Sequence, residues 1–232
     1  MLSIVPTPIG NLRDITLRAL DVLKAADLIV CEDTRHTGNL LRHFEISKPL
    51  ASLHEHSSDA KVLDLVKRLE GGLNVALVSD AGMPLISDPG FELMKEVRER
   101  GIAFEVLPGA QAAVTALVAS GLATDSFVFL GFPSPKSAGR KKEFERLAAY
   151  EETLIYYESP FRLVKTLEDM KEVWGNREAA VSRELTKKFE ETARGTLEEL
   201  IQKFSAKNAI GEIVITVSGA NRKKLFERVS RG

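Results

Sequence analysis

Short apolar runs alternate with segments of helical period from one end of the chain to the other, and this alternation constrains the fold more than any other feature. Ser3–Val5, Leu28–Cys31, Val75–Val78 and Ile102–Leu107 read as strands. Val75–Val78 is a continuous apolar run, as expected where helices cover both faces of a sheet. Between the strands, Thr16–Ala26 spaces Leu17, Leu20 and Leu23 for one helix face. Asp59–Leu69 turns Val62, Leu63, Val66 and Leu69 inward before a Gly71-Gly72 stop. Asp88 followed by Pro89 predicts a capped helix that ends at Gly101, and Ala110–Ser120 predicts another. The second half repeats the rhythm, with strands at Phe127–Phe132, Thr153–Tyr157, Ala179–Ser182 and Ile213–Val217. Its helices fall at Lys142–Tyr150, Leu163–Trp174 and Thr196–Phe204. Ser134–Lys142 reads as a basic loop and Asn221–Gly232 as a basic tail.

Strands that alternate with helices imply mostly parallel sheets and the α/β class. Two smaller sheets suit 232 residues better than one of nine or ten strands. Two α/β domains are expected, 1–120 and 121–232, because Gly121 and polar neighbours break the pattern near Ser120–Ser126. Ligands of such sheets bind beyond the carboxyl ends of the strands, and a cleft between two domains is a favoured place for small molecules.

Composition narrows the partners. The formal net charge is −1, so contact with nucleic acid must use local basic patches. The single cysteine, Cys31, allows no intramolecular disulfide, which fits a reducing compartment. The chain opens without a basic segment leading into an apolar run, and no stretch reaches the length of a membrane span. The expectation is a cytoplasmic protein without membrane contact.

The residues able to carry chemistry sit just after strands. They are Pro6-Thr7-Pro8-Ile9-Gly10-Asn11, Glu32-Asp33-Thr34-Arg35, the twelve residues Ser79–Gly90, Pro108-Gly109, Glu158-Ser159-Pro160 and Arg183-Glu184-Leu185-Thr186-Lys187. Polar loops of this kind also arise as ordinary turns. Ser79–Gly90 exceeds a usual strand-to-helix connection and carries two Asp, two Ser, two Gly and two Pro. Asp80 within it can accept hydrogen bonds from ribose hydroxyls or an ammonium group, or from its own turn. No glycine fingerprint of a dinucleotide site, no P-loop and no nucleophile elbow is present. His54 and His56 flank Glu55 without further ligands at metal spacing, so a solvated loop is expected and no metal. His36 and His43 read as helix-surface or core residues, and Cys31 as a small apolar group.

Taken in order, PTPIGN, EDTR, SDAGMPLISDPG, LPGA, ESPFRL and RELTKKFEE resemble the tetrapyrrole methylase superfamily from Ser3 to Gly219, and within it the branch that acts on small-subunit ribosomal RNA. The resemblance implies two α/β domains with S-adenosylmethionine in the cleft between them and no metal. It further implies a homodimer that methylates the 2′-hydroxyl of a cytidine in the decoding centre of 16S rRNA, on the RNA or the 30S subunit. Carried over position by position, it assigns Pro8, Asp80, Ala81, Gly82, Met83, Ile86, Gln111 and Ala112 to the cofactor, with Glu158, Leu185 and Glu212 from the second domain. Members commonly carry Thr at the position of Met83 and Ser at that of Gln111, so a side-chain hydrogen bond is replaced at each place.

A ribose hydroxyl needs a base, or positive groups that stabilise the developing alkoxide. Glu32, Asp33 and Asp80 are the candidate bases, and Lys187 a candidate for stabilising charge. Arg35 and Arg183 are candidates for orienting phosphate, although Glu32 and Arg35, or Arg183 and Glu184, can simply pair with each other. Lys136, Arg140, Lys141, Lys142 and Arg146 beside Phe144 form a basic run expected to meet RNA, diluted by Glu143 and Glu145. Arg222, Lys223, Lys224, Arg228 and Arg231 form a second run. Two other readings stay open: a C-methyltransferase acting on a porphyrinoid, and a non-catalytic module that binds S-adenosylmethionine.

Overall fold

The computed structural model describes residues 1–54, 57–206 and 209–220, so Glu55, His56 and the basic tail from Asn221 lie outside the described residues. Among these residues ten strands form two five-stranded sheets. The chain divides into two compact units between Gln111 and Ala112.

In the first unit β1 (Leu2–Ile4), β2 (Leu28–Cys31), β3 (Leu50–Ser52), β4 (Val75–Leu77) and β5 (Phe104–Val106) form an all-parallel sheet of order β3-β2-β4-β1-β5. Apolar side chains alternate between its two faces. Leu2, Ile4, Leu28, Val30, Val75 and Leu77 join one core with α3 (Asp59–Glu70) and α4 (Phe91–Glu99). Val5, Ile29, Cys31, Ala76 and Val78 join another with α1 (Leu17–Ala25) and α2 (Thr34–His43). Both faces are covered around β2 and β4, which is why those two strands are apolar at every position.

Two helix faces differ from the sequence reading. Thr16 caps α1 by accepting from the Ala19 N–H at 3.0 Å, and Ala19 and Leu23 are the buried residues, while Leu17 is exposed in the first turn. On α3 Leu65 is buried instead of Leu63. The helix expected from Asp88 begins at Phe91 with Gly90 as its cap, so Asp88 is released from capping.

The second unit corrects the expectation of parallel pairing. Its strands β6 (Phe127–Phe129), β7 (Thr153–Glu158), β8 (Glu178–Arg183), β9 (Glu191–Thr196) and β10 (Ile213–Val217) run β6-β7-β10-β8-β9, and only β6 and β7 are parallel. The polar strand β9 carries no apolar alternation and, like β3, has no counterpart among the expected elements, while α2 provides the helix surface on which His36 and His43 lie. Helices α6 (Ser137–Leu147), α7 (Leu163–Trp174) and α8 (Leu197–Ala206) cover one face around Phe144, Tyr156, Leu167 and Ile215. The other face is covered by α5 (Ala112–Ser120), which packs on β7, β8, β9 and β10. The division therefore precedes α5 and does not fall near 120, because this uniformly apolar helix finds its partner surface on the second sheet. Ser134–Lys142 is mostly the first turns of α6 and not a loop. No helix among the described residues is long and apolar enough to cross a membrane.

Candidate active site

Neighbouring strands β1 and β4 of the first unit send their outgoing connections to opposite faces of the sheet, toward α1 and α4. Such a switch opens a crevice beyond the carboxyl ends of the strands. Two backbone hydrogen bonds bridge it, Thr7 N–H to Gly82 O at 2.9 Å and Gly82 N–H to Thr7 O at 3.0 Å. The Thr7 hydroxyl donates to Ser79 O and the Ser79 hydroxyl to Gly82 O, each at 3.0 Å. Gly109 closes the third side: a Cβ there would stand 2.5 Å from Pro6 Cβ, so only glycine lets these loops touch. Pro8 and Gly82 are buried in this clamp, Asp80 and Met83 are half-buried, and Ala81 and Ile86 are exposed. Leu85 and Ser87, on either side of Ile86, hold φ of 73° and 65°, a costly conformation that clusters at functional loops.

Asp80 accepts the Asp33 N–H at 3.2 Å and joins the loop after β4 to that after β2. Between these loops Glu32 and Asp80 face Asp88. Burial, then the Glu32 charge, push the Asp88 carboxyl up to about 6, against a partly offsetting hydrogen bond from Ser79. A cavity of about 450 Å³ opens here, lined by Glu32, His54, Ser87, Asp88 and Phe91 among others, within the size range of small-ligand pockets. Among the described residues no ion pair reaches Glu32, Asp80 or Asp88. Asp33 differs from them. It caps α2, accepting the Arg35 N–H at 2.8 Å, and pairs with the Arg35 guanidinium at 3.0 Å. Those bonds hold its carboxyl at about 2, so it is poorly suited to take a proton near neutral pH. The pairing anticipated for Glu32 with Arg35 is made by Asp33. Cys31 is buried, its thiol pushed up by burial, and His36 and His43 lie exposed on α2.

The second unit commits its charged candidates to one another. Glu158 is 3% exposed and accepts from Ser159 N–H at 2.7 Å, Arg162 Nε at 2.9 Å and the Thr166 hydroxyl, so its carboxylate holds the turn after β7. Lys187 bonds Glu184 at 2.9 Å and Glu212 at 2.8 Å. Partial burial opposes its charge, but the two carboxylates outweigh it and hold its pKa above the ordinary value. It is a fixed cation and no base. Arg183 pairs with Glu191 at 2.7 Å instead of Glu184. Leu185 is buried between Glu184 and Thr186, which hold φ of 51° and 63°. The Glu184 carboxylate passes over Gly211, whose φ is 93° and where a Cβ would meet Glu184 Oε1 at 2.2 Å. Ala112 opens α5, while Gln111 ends the first unit.

The basic run separates into two kinds of residue. Arg140 is 3% exposed, bonds Asp169 at 2.6 Å and 2.8 Å, and donates to Ser134 O and Pro135 O. This corrects its assignment to RNA, for every face of the guanidinium is used inside the unit. Lys141 pairs with Glu172 at 2.6 Å. Lys136 and Lys142 are exposed.

The model of the family described as Tetrapyrrole (Corrin/Porphyrin) Methylases matches residues 1–201. The chain belongs to the tetrapyrrole methylase family. It is 48% identical over 227 residues to a Bacillus subtilis protein named Ribosomal RNA small subunit methyltransferase I, covering 98% of this chain and 78% of that one. A Vibrio cholerae protein of the same name is 50% identical over 222 residues, 94% of this chain and 77% of its own. Among solved structures, uroporphyrin-III-C-methyltransferase from Thermus thermophilus superposes with a TM-score of 0.64 at 22% identity, over 94% of this chain and 91% of that one, which shows the fold.

The crevice of the first unit gathers carboxylates that have no bonded cation among the described residues, beside backbone joined by the Thr7–Gly82 bridge. No group of side chains that could hold a metal occurs among the described residues. Sequence reasoning missed Asp88, because Asp-Pro before an apolar run also signals a helix start. The available signal was the length of the loop: α4 starts at Phe91 with Gly90 as its cap, two positions past Asp88.

Proposed function

We propose that the chain transfers a methyl group from S-adenosylmethionine to the 2′-hydroxyl of a cytidine in the decoding centre of 16S rRNA, as a cytoplasmic homodimer. The observation that carries this reading is identity of 48% to 50% across nearly the whole chain with proteins named for small-subunit rRNA methylation. The strand-end loops support it independently. Pro8 and the backbone from Ala81 to Met83 form the bed of the methyl donor, and Asp80 faces its positive or hydroxyl groups. Ala112, Glu158, Leu185, Glu212 and Gln111 are assigned to the donor by resemblance, with the Glu158 side chain acting through the turn it holds.

When bound, S-adenosylmethionine supplies a methyl group already activated by a sulfonium charge. The chain's own tasks are alignment, exclusion of water and removal of one proton. Asp88, poised at about 6 beside Glu32, is the group best matched to take the ribose hydroxyl proton on its carboxylate near neutral pH. Asp80 keeps the loops after β2 and β4 in register for that transfer.

The test is transfer of radiolabel from S-adenosylmethionine to unmodified 30S subunits, mapped by nuclease digestion and mass spectrometry. One labelled cytidine bearing a 2′-O-methyl group is expected. Absence of label in rRNA together with turnover of a porphyrinoid would replace this reading with C-methylation.

A further inference from the structure

Four large apolar side chains that take no part in the core of the second unit stand at one end of its sheet. The register pairs Ile213 with both Glu158 and Arg183, and Arg183 with Glu191, which places the end of β7, the start of β10, the end of β8 and the start of β9 in one row. Just beyond that row lie Phe161, Ile210 and Phe189, exposed by 94%, 72% and 66%. Phe132, 55% exposed, follows β6 on the same side, where Gly131 O accepts the Tyr157 N–H at 2.9 Å. Single exposed apolar residues are ordinary, but several at one sheet end mark an interaction surface. Two of these are phenylalanines carried on turns with fixed backbones. Phe161 sits in the turn that Glu158 ties to Arg162 at 2.8 Å, and Phe189 in the turn that Glu190 closes on the Thr186 N–H at 2.8 Å.

The charges nearby select the partner. The acids at this end are engaged: Glu158 with Arg162, Glu184 with Lys187, and Glu191 with Arg183 and Lys203. Cations stand beside the rings. Lys188 Nζ lies 5.5 Å from the Phe189 ring centroid, and exposed Lys165 follows Phe161 by one helical turn. Lysine is depleted in the cores of protein interfaces, whereas rigid aromatic rings with adjoining cations are how proteins hold single-stranded nucleic acid. Sequence-specific binding of RNA takes place at unpaired bases, which stack on such rings.

We propose that this end of the second sheet is a stacking surface for unpaired RNA bases, with Phe161 and Phe189 each receiving a base and Lys165 and Lys188 the adjoining phosphates. The choice of RNA rests on the methylation reading; the aromatic row and its cations do not. The same row carries Glu158, Leu185 and Glu212, so a base stacked there lies beside residues assigned to the methyl donor.

A single-stranded RNA oligonucleotide containing 2-aminopurine tests this, because stacking on a ring quenches its fluorescence. The wild-type protein is expected to quench it, and Phe161→Ala and Phe189→Ala to weaken binding roughly tenfold each. The alanine variants keep the salt dependence of binding, since no charge is lost, while Lys188→Ala lowers the slope by about one. Phe161→Trp and Phe189→Trp retain quenching, and sedimentation and melting of all variants match wild type. Affinity unchanged in the double alanine variant overturns the proposal. So does dissociation of that variant into a smaller species without loss of RNA affinity, which would give the surface to a second copy of the chain. No quenching by the wild-type protein, with its methyl transfer intact, sinks the stacking surface alone; quenching by the wild type with no transfer to any RNA sinks the methylation reading alone.

Discussion

The two sheets treat their carboxylates in opposite ways. At the strand ends of the first unit Glu32, Asp80 and Asp88 face one another with no cation bonded to them among the described residues. In the second unit Asp169 holds Arg140, Glu158 holds Arg162, and Glu184, Glu191 and Glu212 share Arg183, Lys187 and Lys203. Like charges gathered at the mouth of a cavity raise free energy, and a fold keeps them where a ligand or a proton relieves the repulsion. Paired charges hold turns in place. The first unit thus keeps its carboxylates available, as the proposed chemistry requires, while the second uses its own to hold turns.

The sharpest way to break this comparison is to unpair a charge in the second unit. Arg140→Ala leaves Asp169 buried with the Ser137 hydroxyl at 2.8 Å and, among the described residues, Lys141 at 3.7 Å as its remaining cation, and should cost about 3 kcal/mol in chemical denaturation. Replacing both partners, Arg140→Met with Asp169→Leu, should recover most of that loss, because desolvating a buried pair consumes much of its attraction. A smaller effect is expected at Gly211. Gly211→Ala forces a side chain into positive φ and onto the Glu184 carboxylate, for about 1–3 kcal/mol of destabilisation by thermal melting.

In the first unit the same logic reverses sign. Burial and the Glu32 charge raise the Asp88 carboxyl to about 6 from an ordinary 3.8. The folded chain therefore binds this proton more tightly than the unfolded chain. The resulting penalty on folding is absent below about pH 4 and complete above about pH 6. Asp88→Asn should accordingly stabilise the protein at pH 7 to 8 by about 1 kcal/mol, a value reduced for solvent screening of a partly exposed group, and by nothing at pH 4. Denaturant midpoints measured at both pH values decide it.

Much of this arrangement was legible in the sequence, and the reasons for the rest are physical. Leu163–Trp174 and Ile213–Val217 stood at their true bounds, because each is long, strongly periodic or continuously apolar, and cleanly stopped. Strand β9, reading ETARGT, pairs at a sheet edge and needs no apolar alternation, so nothing local marks it. Its absence from the reading also hid the antiparallel pairing of β8 with its neighbours. At the site, the loops after β1 and β4 were recognisable from their Gly, Pro and Asp content. The separate roles of Asp33 and Asp88 were not. Each precedes a helix by sequence, and only the start of the helix, at Thr34 in one case and Phe91 in the other, decides which of them caps. Arg140 misled for a similar reason: a basic run shows charge, and burial of one member against Asp169 depends on a helix twenty-nine residues away.

The acidic end of the first sheet is proposed to remove the proton. The most direct test is the pH dependence of single-turnover methyl transfer to 30S subunits by wild type and Asp88→Asn at saturating S-adenosylmethionine. The wild-type rate is expected to climb through about pH 6 to a plateau, and the variant to be slower by about 10²- to 10⁴-fold with a profile that lacks that rise while donor binding is kept. A variant with the wild-type rate and the same rise near pH 6 would contradict it and assign the proton to another group.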